Sequence, residues 1–527
     1  MTHRFVRRAV AGGAATLLLG GGLAVVSGSD AAAVVVLSGL PSDFNGDGIS
    51  DVAIGEPLNR GGRVHVLYGT RSGLQADAST STPDDQLITA PFAGSGRFGQ
   101  ALAAGDFNGD DYSDLAVGAP FSLIPGGDGV TAPGFVRVFN GSPAGLNLSA
   151  PHDVTGMVAL HAPATADEFG SLLAVGNFDR DGEQDLVISA TAENAGNGAV
   201  YIVPGAGATA RRFVQGQGGV PAGDGTTDNF GFGLAVGDFN ANGVSDLAIG
   251  EPLMNGGKGA VVVMNGSGDA SLLSSIGGKL WSQDTVDAAG RGIAGVGEAD
   301  DIFGFALAAG DFDGTGGVDL AVGVPGEDLD SAVDAGMVNV IYSGGASGLV
   351  VSGNQAWTQN TAGISGVAEA GDNFGGALVA GNFDGALGAD LAVGVPFEKL
   401  GSVEAAGTVN VIYSGGSTGL TGSHQQAWSQ ASTGIAGTPE TDDFFGSSLA
   451  VGRIHSGSRD DLVVGAVGEG IDTIIAAGLV HLLPSSSTGL TATGSQSFHA
   501  NTPGVQGAAV TDGLFGFGLT NSCLVDD

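Results

Sequence analysis

One register recurs through almost the whole chain, and it commits the sequence to a repeat architecture. Phe98-Gly99 opens a short apolar stretch ending at Gly105. The polar run Asp106-Phe107-Asn108-Gly109-Asp110 follows, and then Asp114-Leu115-Ala116-Val117-Gly118-Ala119-Pro120. The same order returns from Phe169 to Ala190, Phe230 to Pro252, Phe303 to Pro325, Phe374 to Pro396 and Phe445 to Val467. With an incomplete first unit, the polar loops begin at residues 43, 106, 177, 238, 311, 382 and 453, spaced 61 to 73 residues apart.

Behind each loop lies a stretch of alternating residues rich in β-branched and aromatic types. These are Arg63 to Tyr68, Phe135 to Phe139, Ala199 to Val203, Ala260 to Met264, Met337 to Tyr342, Thr408 to Tyr413 and Leu479 to Leu483. Alternation of this kind marks a strand. A turn ending in Gly-Leu often comes next, as at Gly73-Leu74, Gly145-Leu146, Gly348-Leu349, Gly419-Leu420 and Gly489-Leu490. Each unit thus offers about four short strands, which is the composition of a propeller blade. The expected fold is all-β, a seven-bladed β-propeller of four-stranded blades. The ends support closure. The first unit lacks a Phe-Gly strand, while Phe515 to Leu519 is such a strand without a complete loop after it. Pairing the N- and C-terminal segments would close the ring, giving one domain over residues 34–527. Glycine is abundant at 98 residues, but apolar residues make up 43%, too many for disorder. The glycines therefore read as turns and tight strand contacts.

The seven loops carry the chemistry. The first, Asp43-Phe44-Asn45-Gly46-Asp47-Gly48-Ile49-Ser50-Asp51, puts side-chain oxygens at positions 1, 3, 5 and 9, and Ile49 can offer a carbonyl at position 7. Such spacing wraps oxygens around one point, and calcium accepts six to eight of them in flexible geometry. Unlike an EF-hand, the loop is acidic at position 9 and flanked by strands. The second loop repeats the set with Asp106, Asn108, Asp110, Tyr112 and Asp114, and the third with Asn177, Asp179, Asp181, Glu183 and Asp185. The fourth has Asp238, Asn240, Asn242, Val244 and Asp246; the fifth has Asp311, Asp313, Thr315, Gly317 and Asp319. The sixth offers Asn382, Asp384, Gly388 and Asp390, but Ala386 brings no side-chain oxygen. The seventh begins with Arg453 and carries His455, Gly457 and Asp461; its cationic start is expected to repel an ion. About four to six calcium ions are expected. The competing reading is a set of ordinary Asx-turns, which favour the same residue types.

These residues resemble the FG-GAP repeats of the integrin α-chain head, over about residues 35–520. The resemblance implies a seven-bladed propeller with calcium in the hairpin loops of some blades, on the face opposite the usual ligand face. Integrin adhesion also requires a β-chain and further domains, so the resemblance implies adhesion only weakly. Similar repeats accompany the catalytic domain of glycosylphosphatidylinositol-specific phospholipase D. The segment ahead of the repeats reads as an export signal rather than such a domain.

That segment, residues 1–33, has Arg4, Arg7 and Arg8 ahead of an apolar stretch from Ala9 to Val26, and small residues at Ala31 to Ala33. An uncleaved membrane anchor is the competing reading. No second apolar run of spanning length follows. The net charge of −38 argues against nucleic acid and anionic membrane surfaces. The single cysteine, Cys523, allows no intrachain disulfide. Trp281, Trp357 and Trp428 recur near the unit period and read as outer-strand packing, with sugar platforms as the alternative. His65 and His481 read as packing or surface residues. No Gly-x-Ser-x-Gly elbow with partners and no HExxH spacing is present, so no catalytic residue is assigned. The expected role is a secreted or cell-surface, monomeric, non-enzymatic binding or adhesion module for an extracellular protein or glycan. A lectin-like propeller and a hydrolase with an unrecognised site are the alternatives. Phe121 to Ala132 and Gly326 to Ala335 are the candidate ligand-facing insertions.

Overall fold

The computed structural model describes residues 42–519 apart from 77–84, 92–95, 123–132, 155–166, 206–208, 226, 276–277 and 456. Residues 1–33, expected to be an export signal, Cys523 and most of the Phe121 to Ala132 insertion lie outside the described residues. The chain forms seven antiparallel sheets arranged as propeller blades. Blade two is typical, running Leu102–Gly105, Asp114–Ala119, Phe135–Phe139 and His152–Asp153 from inside to outside. Its second strand is buried at every residue, as are its counterparts from Asp185–Ala190 to Asp461–Ala466. A neighbouring blade covers each face of that strand, so it reads as an unbroken Leu-Ala-Val run rather than an alternation. Outer strands such as Leu420–Trp428 regain exposed positions.

Blade-to-blade contact explains much of the glycine. The Phe of each Phe-Gly pair docks on the preceding blade, bridging at Gly62 with Phe98, Gly134 with Phe169, Gly198 with Phe230 and Gly259 with Phe303. The following glycine bends the chain back toward its own blade, with φ of +90° at Gly170, a conformation that favours glycine. Regular pairing therefore starts beyond Phe-Gly in most blades, at Leu102, Gly233, Leu307 and Ala377. Gly118, at the end of the second strand, lies against the next blade so closely that a Cβ would sit 2.2 Å from the Gly170 carbonyl oxygen.

The Gly-Leu turns are latches as well as turns. Leu146 N donates to Tyr68 Oη and Gln86 Oε1 of the preceding blade, each at 3.0 Å. Leu420 N and Leu490 N do the same to Tyr342 and Tyr413, each at 3.1 Å. A Cβ at Gly145 would lie 2.2 Å from the Tyr68 hydroxyl, so the latch itself demands glycine.

Blade one consists of Val52–Glu56, Arg63–Leu67 and Asp85–Thr89, and its inner strand comes from the C-terminal segment. Ile54 bridges Leu519, Gly55 N donates to Gly518 O at 2.7 Å, and Gly516 N donates to Gly55 O at 3.0 Å. The two ends thus complete one blade, as their matched leftovers imply. The tryptophans lie in or at the end of fourth strands, Trp281 and Trp357 buried and Trp428 partly so. His65 and His481 are buried, and burial pushes His481 down to about 4.

Candidate metal centre

Six of the seven polar loops close the hairpin between a blade's first and second strands, and the first loop leads into the second strand of blade one. Gly105 pairs with Asp114, Gly176 with Asp185, Gly237 with Asp246, Gly310 with Asp319, Gly381 with Asp390 and Gly452 with Asp461. The shared register places the loops at one end of the ring. Position 2 is an apolar plug: Phe44, Phe178, Phe312, Phe383 and Ile454 are fully buried.

The position-9 aspartate is buried in all seven loops and pins each one. Asp51 Oδ2 accepts from Phe44 N and Oδ1 from Gly69 N, both at 2.8 Å. In blade five Asp319 accepts from Phe312 N at 2.8 Å and Ser343 N at 2.7 Å. Asp461 does the same in the seventh loop, from His455 N at 2.8 Å and Ser485 N at 2.7 Å. The residue therefore has a structural role that is independent of any ion.

Position 1 organises the turn. Asp43 Oδ1 accepts from Gly46 N at 2.7 Å and Oδ2 from Gly48 N at 2.7 Å. Asp106 and Asp311 repeat this with Gly109, Asp111, Thr315 and Gly316, and Asp238 with Asn242 and Gly243. These are Asx-type bonds, but they leave the negative charge unanswered. Burial pushes Asp114, Asp185 and Asp246 up to about 7 and Asp319 to about 8, and neighbouring loop carboxylates add to each rise. Asp390 is likewise at about 7, and Asp43 and Asp51 are raised by the same causes. Carboxylates buried side by side need either a proton or a cation.

The donor set fits a hard cation in several loops. Carboxylate oxygens of Asp311, Asp313 and Asp319 lie within 4.8 Å of one another, the one such trio among the described residues. The loop with the poorer position 5, Thr315, thus brings its carboxylates closest. Asn108 Nδ2 lies 3.2 Å from both Asp114 oxygens, and Asn240 Nδ2 lies 3.0 and 2.8 Å from those of Asp246, so position 3 turns toward position 9. In loop three, Asn177 Oδ1 accepts from Arg180 N and Asp181 Oδ1 from Glu183 N. In loop one Asn45 Oδ1 accepts from Asp47 N, and in loop two Asp110 Oδ1 from Tyr112 N. Asp179 of loop three is raised by burial and then by Asp181. Loop six repeats the turn bonds of loop one: Asn382 Oδ1 accepts from Gly385 N at 2.7 Å and Asp384 Oδ1 from Ala386 N at 2.7 Å. The seventh loop does not fit a metal, because His455 Nδ1 lies 2.9 Å from Asp461 Oδ2 and Arg453 pairs with Asp460 at 3.6 Å.

A feature that sequence reasoning missed joins the loops. The position-8 N–H of each loop donates to the position-1 carbonyl of the loop before it. Ser113 bonds Asp43, Gln184 Asp106, Ser245 Asn177, Val318 Asp238, Ala389 Asp311 and Asp460 Asn382, and Ser50 closes the circle on Arg453, all at 2.7–3.3 Å. Four position-8 side chains return the bond: Gln184, Ser245, Asp460 and Ser50 accept from the position-1 N–H at 2.8–3.0 Å. The polar residue just before most position-9 aspartates was the available signal.

Residues 98–139, 169–203 and 230–264 match the FG-GAP repeat, and residues 43–117 match the FG-GAP-like repeat. Phosphatidylinositol-glycan-specific phospholipase D of Rattus norvegicus is 36% identical over 154 residues, 28% of this chain and 17% of that protein. Integrin alpha-5 of Xenopus laevis is 35% identical over 156 residues, 28% of this chain and 14% of that protein. Integrin alpha-V of Gallus gallus is 28% identical over 215 residues, 40% of this chain and 19% of that protein. The matches thus span less than a fifth of these relatives' own length. The chain carries FG-GAP repeats and is homologous, over them, to integrin α chains and to the phospholipase.

Proposed function

We propose that this FG-GAP propeller is an exported, calcium-braced, non-enzymatic binding module for an extracellular protein or glycan. The observation that carries the reading is the ring of aspartate loops: raised, crowded carboxylates on one end of a closed scaffold, in loops tied to one another. Asp43, Asn45, Asp47 and Asp51, with the equivalent side chains of loops two to five, would hold the ions, together with the position-7 carbonyls. Loop six would hold one through Asn382, Asp384 and Asp390. Calcium there would neutralise the carboxylates and stabilise the folded ring in proportion to occupancy. No helix among the described residues is long and apolar enough to cross a membrane. Ligand contact falls to the opposite end, where 326–335, 397–406 and 468–477 form short hairpins closed at Leu329 with Ala332, Leu400 with Val403, and Ile471 with Ile474.

Calorimetry with calcium and a thermal melt in EDTA test the first half. Four to six ions in the loops and a large upward shift are expected; no binding and no shift would reduce the loops to Asx-turns. A glycan array and a panel of secreted proteins test the second half. Binding that is lost when the 397–406 hairpin is shortened supports the module. Turnover of a glycosylphosphatidylinositol anchor or a glycoside by the purified chain would overturn the non-enzymatic reading.

A further inference from the structure

Three consecutive blade junctions repeat one arrangement of buried acids, at the end of the ring away from the aspartate loops. At the first, Glu327 follows the second strand of blade five, Asp301 precedes Phe303-Gly304, and Gln283 follows the fourth strand of blade four. Glu398, Asp372 and Gln359 take these places at the next junction, and Glu469, Asp443 and Gln430 at the one after. Eight of the nine side chains are 1–8% exposed, and Glu398 is partly buried.

The geometry is the same each time. Gln283 Nε2 donates to Glu327 Oε2 at 2.6 Å, and Gln359 and Gln430 donate to Glu398 and Glu469 at 2.5 Å. Asp301, Asp372 and Asp443 each accept from the backbone N–H three residues earlier, at 2.5–2.6 Å. The amide oxygens Gln283 Oε1, Gln359 Oε1 and Gln430 Oε1 are buried beside these acids and accept nothing. The glutamines are cradled: a Cβ at Gly295, Gly366 or Gly437 would come within 2.4–2.7 Å of the amide nitrogen. Burial, and then repulsion from the paired glutamate, pushes Asp301, Asp372 and Asp443 up to about 7. No ion pair with a basic side chain reaches any of the six acids among the described residues.

The seam between blades seven and one is the contrast. There the buried acid is Glu56, met by Arg63 Nε, by His65 Nε2 at 3.0 Å and by Asn59 Nδ2 at 2.8 Å. The residue two before Phe515, where these three junctions place an aspartate, is Gly513. Here the chain supplies a cation and no second acid; at the three junctions above it supplies the second acid and no cation.

We infer that each of these three junctions binds a hard divalent cation, calcium by its all-oxygen donor set, between the glutamine Oε1 and the two carboxylates. A single proton can be donated to the other acid or to the amide oxygen but not to both, so it leaves one acceptor without a partner. A cation answers all three groups. These sites are separate from the aspartate loops, and each would clamp one blade to the next.

The chain's three tryptophans, Trp281, Trp357 and Trp428, each stand two residues before one of these glutamines, which makes them selective reporters. The test titrates terbium into the full chain with tryptophan excitation, then competes with calcium. Saturable terbium emission, displaced by calcium, is expected. It should fall in each of Glu327→Gln, Glu398→Gln and Glu469→Gln, vanish in the triple variant, and be unaffected by Asp311→Asn in the loops. Absence of emission from the wild type, or emission that survives in the folded triple variant, overturns the inference. So does an infrared band of protonated carboxyl groups that persists at neutral pH in saturating calcium. Should the triple variant not fold, unchanged emission in all three single variants is equally refuting.

Discussion

Removing calcium should turn the protein's stability into a steep function of pH. Asp114, Asp185, Asp246 and Asp390 sit at about 7 and Asp319 at about 8 in the metal-free ring, against an ordinary 3.8. Burial is the main cause, with neighbouring loop carboxylates adding to it. Each group keeps its proton in the folded state over a range where the unfolded chain has lost it. The folded state then binds more protons, so stability falls as pH rises. The loss is absent below the unfolded value of 3.8, grows up to the folded values of about 7 to 8, and is constant above them. A tenfold difference in proton affinity between the folded and unfolded chain is worth about 1.4 kcal/mol. If each of the five aspartates expresses only one such factor of ten, the cost is about 7 kcal/mol, set against a typical stability of roughly 5–15 kcal/mol. Calcium, as proposed, would bind the ionised form and remove that cost. Its stabilising effect should therefore be small near pH 5 and large near pH 8. Thermal and urea melts in EDTA and in millimolar calcium, from about pH 5 to 9, measure both. An EDTA melt that is flat or rises over that range refutes the reasoning, as does a calcium shift of equal size at both ends.

Three further outcomes follow from particular contacts. Gly118→Ala should destabilise the ring by at least ~1–3 kcal/mol, because the new methyl meets the Gly170 carbonyl oxygen at 2.2 Å; an unchanged urea midpoint would show that blades two and three pack more loosely than this contact implies. Asp461→Ala removes the acceptor of two backbone N–H groups in a loop whose side chains do not fit an ion. It should cost ~2–4 kcal/mol equally with and without calcium in paired melts, whereas Asp319→Ala should cost more in calcium. The double variant Arg453→Asp with His455→Asn gives the seventh loop the position-1 and position-3 oxygens of its neighbours, and calorimetry should count one more calcium than in the wild type.

The fold was legible because its information is local and periodic. The alternating strands expected from Arg63, Phe135, Ala199, Ala260, Met337, Thr408 and Leu479 all begin at those residues. What was not legible depends on partners far away in the chain. Leu146 finds Tyr68 across 78 residues, and Gln496 holds Leu74 across 422. No spacing within one unit announces either pair. The Trp-Ser-Gln stretches show the limit well: the large aromatic residue drew attention, yet the glutamine two positions on crosses to the next blade. The position-9 aspartate shows it again. Among oxygen-rich neighbours it reads as a ligand, but Asp461 persists in a loop headed by Arg453, because pinning the loop does not require an ion.

The seam where the ring closes is wired differently from the other junctions, and on both ends of the ring. At the loop end, Ser50 and Arg453 exchange backbone and side-chain hydrogen bonds at 3.1 and 2.8 Å, and His455 stands over Asp461 where a neighbour would offer an acid. At the other end, Arg63 neutralises Glu56 and His65 hydrogen-bonds it. Between them the terminal segments pair at Gly55 and Gly518, and Gln496 and Gln506 hold Leu74 and Asp85. The chain thus brings its own positive charge to the junction that must form between its two ends, whereas the three junctions from blade four to blade seven bring paired carboxylates. Closing the ring costs the most chain entropy, since it joins the most distant segments. A seam that waited for a metal would add a second requirement to the hardest step. A seam braced by arginine and histidine can close first, leaving the acid-lined junctions to be tightened by ions afterwards. In EDTA, amide exchange should accordingly accelerate in the loops of blades one to five, while Gly55 and Gly516, where the terminal segments pair, stay protected; equal loss of protection at that seam would refute this order of assembly.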